Sequence, residues 1–223
     1  MATTTIPWGD GSGDNIYLTY PSASGNQTVN VTSDANKGAE RTKIVNFAVG
    51  NILKQLTVVQ EAVESETKDF LLSSYDSVDK SYYAITSPAN AYTDVDSDSV
   101  CGINMKRGAS AETWVYFKFD TSSIPENAII KSIVCQAKLG KQSANTNYIA
   151  SANAVLCSGT TVKSAPVSLN ASARVETFQD SGWSRSELND IRIKIYGTRG
   201  TSNTSNSYAL RIYGAKLTVE WYV

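Results

Sequence analysis

Residues 112–120, ETWVYFKFD, alternate strictly in character. Val115, Phe117 and Phe119 fall on one side of an extended chain, and Trp114, Tyr116 and Lys118 on the other. Successive side chains of a strand point to opposite faces, and a wholly apolar face needs a core to bury it. The same period of two recurs on both sides of this stretch. NIYLTY (15–20) sets Ile16 and Leu18 against Tyr17 and Thr19, and TVNVT (28–32) lines up Val29 and Val31. KIVNFAV (43–49), KQLTVVQ (54–60), AIIKSIVCQAKL (128–139), IRIKIYG (191–197) and YALRIYGAKLTVEWYV (208–223) continue it. Clusters of Ser, Asn, Asp and Gly separate these runs, as in SASGNQ (22–27) and SDANKGAE (33–40). Such clusters are turn signals. Gly50-Asn51 is expected at the tip of a tight hairpin. Short strands punctuated at this spacing predict an antiparallel, all-β fold of sandwich type.

The alternation lapses over residues 63–81, VESETKDFLLSSYDSVDKS, which are acidic and polar around a short apolar knot, Phe70-Leu71-Leu72. This break predicts two domains: a sandwich over residues 1–63 with an N-terminal arm, a connector over 64–80, and a second β-sandwich over 81–223. The best helix candidate lies in SGWSRSELND (181–190). Ser184 followed three residues later by Glu187 makes a capping box.

Composition narrows the function. The 223 residues are 41% hydrophobic and 18% charged, with a formal net charge of -1. That charge and the lack of a Lys/Arg cluster argue against binding to phosphate backbones, so no nucleic-acid partner is expected. No apolar run is long enough to cross a bilayer as a helix, and no membrane partner is expected. The chain has no histidine, which removes Ser-His-Asp chemistry and His-based metal sites. No phosphate-cradling glycine motif appears. A non-enzymatic protein without a cofactor is therefore expected. Cys101, Cys135 and Cys157 are odd in number and widely spaced, which predicts buried free thiols rather than a metal ribbon. The opening MATTTIPWGDGSGD has neither the basic start nor the apolar core of a signal peptide. This favours a protein made and kept in a cytoplasm.

Two stretches carry a resemblance to known families. VNVTSDAN (29–36), Arg41 and the closing LTVVQEA (56–62) with Gln60 resemble the BACON and related immunoglobulin-like modules of Bacteroidetes proteins. The second, VYFKFDTSSIPENAIIKSIVCQAKL (115–139), resembles galactose-binding-like and carbohydrate-binding jelly-rolls. GWSRSELNDIRIKI (182–195) and IYGAKLTVEWYV (212–223) look like phage structural-protein versions of the latter domain. The resemblance implies an Ig-like sandwich followed by a jelly-roll. It implies a structural protein on the outside of a phage capsid, a decoration, auxiliary or head-fibre protein assembled in the host cytoplasm. The expected partners are capsid or other virion proteins, further copies of the chain, and a possible host-surface glycan. The alternative is a secreted or cell-surface carbohydrate-binding protein.

Few side chains stand out as sites. Asp94, Asp96 and Asp98 alternate in YTDVDSDS (92–99), a spacing that could present oxygens to Ca²⁺. An EF-hand would continue with Gly and Glu where the chain has Ser99 and Met105, so a solvated acidic loop is the expectation. Asp10 and Asp14 in GDGSGD (9–14) offer a second acidic loop, expected to be a flexible turn. Trp8 is expected to anchor an interface from an otherwise polar arm. Tyr148, in the polar loop GKQSANTNYIASAN (140–153), is the aromatic expected to be exposed for a glycan. Trp114 and Trp221 are expected to serve packing or an interface, and Trp183, Tyr196, Tyr208 and Tyr213 to be mostly core.

Overall fold

The computed structural model describes residues 2–20, 28–49, 52–76, 82–105, 112–180, 182–201 and 208–222. The protein is all-β and antiparallel. Among the described residues the only α-helix is the four-residue α1 (Arg185–Leu188). The chain divides into two compact units, Met1–Glu64 and Ser65–Val223.

In the first unit β1 (Ala2–Pro7), β2 (Asn15–Tyr20) and β3 (Asn30–Ser33) form one sheet in that order. β4 (Arg41–Val49) and β5 (Ile52–Gln60) pair in unbroken register, from Arg41 opposite Gln60 to Val49 opposite Ile52. The expected hairpin tip, Gly50-Asn51, lies outside the described residues. Alternation sends Ile16 and Leu18 of β2 inward to meet Val45, Phe47, Leu56 and Val58 from the second sheet, with Trp8 completing the core. The N-terminal segment is no free arm: β1 pairs with β2 from Ala2 opposite Tyr20 to Pro7 opposite Asn15. Val29 and Val31 alternate as the sequence says but stay exposed. The four-residue β3 is an edge strand lying outside this small core.

The second unit opens with β6 (Ser65–Asp76), β7 (Tyr82–Thr86) and β8 (Cys101–Met105), with a 3-10 turn (Pro88–Tyr92) before β8. β9 (Thr113–Phe119), β10 (Ile129–Lys141) and β11 (Ile149–Ser158) follow. Two short strands come next, β12 (Thr161–Val162) and β13 (Val167–Ser168), then β14 (Arg174–Asp180), α1, β15 (Ile191–Arg199) and β16 (Ala209–Tyr222). One layer is built on β16. It pairs along one edge with β10, which pairs in turn with β14, and its other edge is shared by β6 and β8. Where that edge passes from β6 to β8, the backbone of residues 93–94 presses onto Gly214. A Cβ there would lie 2.3 Å from the Asp94 carbonyl oxygen, so only glycine fits. The other layer runs β11, β15, β9, with β12 and β13 on β11 and the end of β6 on β9.

β6 corrects the reading of residues 64–80 as a connector. Its residues 65–71 pair with β16 in one layer, and its residues 72–76 pair with β9 in the other. The register shifts between Leu72 and Ser74. A strand that turns the corner between packed sheets does so at such an irregularity. It was hard to see because only Phe70 and Leu72 of its twelve residues are buried. Backbone pairing and polar side-chain bonds hold most of the rest, with Tyr75 packed against the core at the far end. Residues 77–80 of the expected connector lie outside the described residues.

Between the two layers lies a continuous apolar core. It includes Phe117, Ile193 and Leu156 from one layer and Cys135, Leu217 and Ile103 from the other. Burying a side chain of this size stabilises by roughly 1.5–3 kcal/mol. Val115, Phe117 and Phe119 all point inward, as the alternation predicts.

Candidate functional site

The acidic loop between β1 and β2 is built on glycine. Gly9, Gly11 and Gly13 all have positive φ, which lets the chain coil tightly. Asp10 Oδ1 accepts from the Ser12 backbone N–H at 3.0 Å and from its hydroxyl at 2.6 Å. Into this coil reaches Arg41, the first residue of β4. Its Nη1 donates to Asp10 Oδ2 at 3.0 Å, Asp14 Oδ2 at 2.9 Å and Ser12 Oγ at 3.2 Å. Its Nε donates to Gln60 Oε1 at 2.8 Å, and its guanidinium lies 4.4 Å from the centre of the Trp8 ring. Gln60 Nε2 then donates to Ser33 Oγ and to the Asp34 carbonyl. Asn36 Nδ2 donates to the carbonyls of Ala39 and Glu61.

The result is a clasp across both sheets of the first unit, beside a groove of about 560 Å³ lined by Asp10, Lys37 and Glu40 among others. The hydroxyl and the backbone N–H of Ser12, followed by Arg41, hold the Asp10 carboxyl far below the ordinary carboxylate range. The guanidinium nitrogen stands where a cation bound by Asp10, Ser12 and Asp14 would sit. GDGSGD is thus neither a metal loop nor a free turn. Asn36, Arg41 and Gln60, the residues carrying the resemblance, all belong to this clasp.

The second unit has a matching device. Arg185 of α1 is buried, and its Nη2 donates to the Ile124 carbonyl at 2.8 Å and its Nε to the Pro125 carbonyl at 3.0 Å. It also reaches Asn189 and Glu126. Thr121 Oγ1 donates to the Leu188 carbonyl at 2.7 Å. The expected capping box is present: Ser184 Oγ accepts from the Glu187 N–H, and Glu187 accepts from the Ser184 N–H at 2.8 Å. These bonds join the loop 120–126 to the segment 183–189, parts of two of the three stretches that carry the second resemblance.

The outward face of the β11–β15–β9 layer is chemically different. Register sets Asn153, Tyr196 and Trp114 in one row across the strands. Val155, Lys194, Tyr116 and Asp76 form the next, and Cys157, Arg192 and Lys118 the third. Trp114 and Tyr116 meet edge to face at 5.3 Å. Lys194 Nζ lies 4.6 Å from the Tyr196 ring centre and Arg192 lies 5.4 Å from that of Tyr116. Each cation is neutralised. Lys194 pairs with Glu112 at 3.0 Å, Arg192 with Asp190 and with Asp76 at 3.2 Å, and Lys118 with Asp76 and Asp190 at 3.8 Å. The face is a mosaic of rings and paired charges over a buried Val155 and Cys157. Burial pushes the Cys157 thiol up to about 11, against the pull of Lys194 and Arg192. No single segment could reveal this face, because its rows join four strands far apart in sequence.

The residues singled out in the sequence fare differently. Asp94, Asp96 and Asp98 do not converge: Asp94 faces Lys216 at 3.5 Å, and Asp98 pairs with Lys138 at 2.6 Å. Among the described residues no group of three or more Asp, Glu or Cys side chains could hold a metal ion. Trp8 is 5% exposed and sits in the first unit's core beneath Arg41, so it is no projecting anchor. Tyr148 is half-buried and stacks on Tyr208 at 4.5 Å with planes 8° apart, while Arg199 lies 5.0 Å from the Tyr208 ring centre. One face of the Tyr148 ring is therefore already covered. Trp183 and Trp221 are core residues, and Lys138 lies over Tyr213. All three cysteines are free and buried, as expected. Burial alone pushes the Cys101 thiol up to about 12.

Comparisons with protein-family profiles, with curated proteins and with solved structures found no match to this chain.

Proposed function

We propose that this chain is a non-enzymatic structural protein of a phage particle, carried on the outside of the capsid as an auxiliary, decoration or head-fibre protein. On this reading the first unit is an Ig-like module and the second a jelly-roll. Both are assembled in the host cytoplasm onto capsid or other virion proteins. One observation supports it above the others. The residues that carry the family resemblance, Asn36, Arg41 and Gln60 in one unit and the Ile124-Pro125 and Arg185 region in the other, are used in internal locks. Residues committed to holding a scaffold suit a protein whose work is to be a rigid part. The direct test is to purify particles of the phage that encodes the chain. The chain is expected at a fixed copy number per head by quantitative mass spectrometry, with antibody labelling on the outer surface. Particles that lack it would overturn the reading.

The outward pair Trp114 and Tyr196, over the buried Tyr116, favours a second reading, a secreted or cell-surface carbohydrate-binding protein. Aromatic rings stack on the apolar face of a sugar, and neighbouring paired charges can bond its hydroxyls. Binding to a neutral glycan on an array, lost in Tyr196→Ala and kept in Tyr148→Ala, would support it. Binding lost only in Tyr148→Ala would return the site to the loop 140–153.

A further inference from the structure

GDGSGD (9–14) contains the only Asp-Gly step in the chain, Asp10-Gly11, and the sequence has no Asn-Gly step. An aspartate followed by glycine is open to ring closure by its own backbone. The amide nitrogen of the next residue attacks the side-chain carbonyl carbon, and glycine puts no Cβ in the way. The loop between β1 and β2 leaves that approach clear. Gly11 has a φ of +85°, and nothing lies within 4 Å of the place a Cβ would take. The Asp10 side chain is 36% exposed, so water can reach it. Against this stands the clasp. Oδ1 is held by the Ser12 N–H and hydroxyl, and Oδ2 by Arg41 Nη1 at 3.0 Å. With both oxygens tied, the carboxyl carbon is kept from turning onto the Gly11 nitrogen. The same bonds keep the group ionised, the Ser12 hydroxyl acting first, then its N–H, then Arg41. An ionised carboxylate resists attack by nitrogen, because it would have to expel oxide rather than water. The other charged groups around it are Asp14, which Arg41 also holds, Lys43 at the Trp8 carbonyl, and Lys37 and Glu40 along the groove.

We propose that Asp10-Gly11 is a site of self-modification whose rate is set by Ser12 and Arg41. When the clasp opens and Asp10 takes up a proton, the Gly11 nitrogen bonds to the Asp10 Cγ. The nitrogen gives up its proton, the hydroxyl of the acid leaves with it as water, and a succinimide ring closes. Water then adds to the ring. Addition at Cγ restores aspartate. Addition at the main-chain carbonyl leaves the chain running through Cγ as isoaspartate, with the free carboxylate directly on Cα. The steps balance as one water out and one water in, and need no other reactant. The product lengthens the loop backbone by one carbon and shortens the arm that carries the carboxylate. That carboxylate no longer spans Ser12 and Arg41, so the conversion releases part of the tie between the two sheets of the first unit. The clasp therefore guards its own aspartate, and loss of the guard is followed by a covalent change that keeps it open.

Peptide mass spectrometry on the full chain tests the site. Trypsin releases residues 1–37 as one peptide, and electron-transfer fragmentation tells isoaspartate from aspartate at each position in it. After days near neutral pH the folded wild type is expected to gain isoaspartate slowly at residue 10, with Asp14 and Asp34 of the same peptide unchanged. In urea the yield at residue 10 should rise, because the clasp is gone. In folded Arg41→Met it should form roughly 5–30-fold faster than in the folded wild type, the shift in an opening equilibrium expected when such a bond is lost. Ile16→Val loosens the core of the same unit but leaves the clasp whole, and is expected to stay near the wild-type rate. Asp10→Asn carries an amide that loses ammonia without first taking up a proton. It is expected to convert faster than the wild type, and it tests ring closure even where Arg41→Met does not fold. Absence of isoaspartate at residue 10 in urea, an unchanged rate in Arg41→Met, equal acceleration by Ile16→Val, or an unconverted Asp10→Asn would each overturn the proposal.

Discussion

Between Pro7 and Arg41 the chain buries Trp8 beneath a guanidinium that is itself held by two carboxylates. Between Val115 and Phe119 it buries three side chains among other hydrocarbon groups. Among its described residues the first unit buries only Trp8, Ile16, Leu18 and Val45. A unit of that size leaves much of its surface in water, so its two sheets need a further tie, and the Arg41 clasp supplies it. In the second unit the core spans both layers, and the Arg185 lock fixes a loop on a body that is already closed. Polar networks are thus central to the stability of one unit and local in the other.

The comparison breaks most sharply at Phe117. Phe117→Ala leaves a cavity in the middle of the large core and is expected to cost the second unit about 3–5 kcal/mol. Because Cys101, Cys135 and Cys157 all lie in this unit, their labelling by a thiol reagent in rising urea reads its opening alone. The midpoint should fall, with hydrogen exchange in β1 to β5 unchanged. In the first unit Trp8→Ala is expected to cost about 3 kcal/mol, since it removes both a core ring and the surface under Arg41. Exchange over residues 2–20 and 41–49 should quicken while thiol labelling stays at the wild-type midpoint. Thiols that open together with the first unit would show that the two do not behave separately.

Arg41→Met keeps the bulk over Trp8 and removes the charge. The expected cost is about 1–2 kcal/mol, discounted because Asp10 is open to solvent. Its pH dependence carries the sign. The Asp10 carboxyl is held below its ordinary range in the folded chain. Its contribution is therefore complete above about pH 4 and fades as the solution is acidified through and below that point. In Arg41→Met that acid-side loss should become shallower without vanishing. The Ser12 hydroxyl and N–H, which hold Asp10 most strongly, remain. An unchanged slope in exchange over residues 9–15 would show that the clasp is electrostatically idle.

What the sequence disclosed follows from the range over which each signal acts. Alternation is local, so Ile16, Leu18, Val115, Phe117 and Phe119 could be assigned to a buried face from their own segments. The capping box at Ser184 and Glu187 is local too. β6 escaped because most of it is held by backbone bonds to β16, a partner more than a hundred residues away, and carries no apolar stripe. Asp10 and Asp14 looked like a possible cation loop because the cation that fills it, Arg41, comes from another strand. Trp8 looked like an anchor for the same reason. The mosaic of Trp114, Tyr116, Arg192, Lys194 and Tyr196 depends on the register of β9 against β15, which alternation within either strand leaves open.

The smallest effect sharpens the claim that polar locks in the second unit act locally. Ser184→Ala removes the hydroxyl that accepts from the Glu187 N–H. Losing an N-cap of this kind costs about 1 kcal/mol. Two features put this case at the low end. Glu187 still accepts from the Ser184 backbone N–H and from Lys163 at 3.0 Å, and α1 is tied down separately by Arg185. Exchange should quicken over residues 184–190 with no change in the urea midpoint for thiol labelling. Glu187→Gln separates charge from geometry. The Ser184 N–H, acting first, and Lys163 hold the Glu187 carboxyl below its ordinary range, so its contribution is also lost as pH falls below about 4. Ser184→Ala should keep most of that local acid dependence, whereas Glu187→Gln should remove it. If either change moved the thiol-labelling midpoint as far as Phe117→Ala does, the lock would be part of what closes the second unit, and the contrast with Arg41 would collapse.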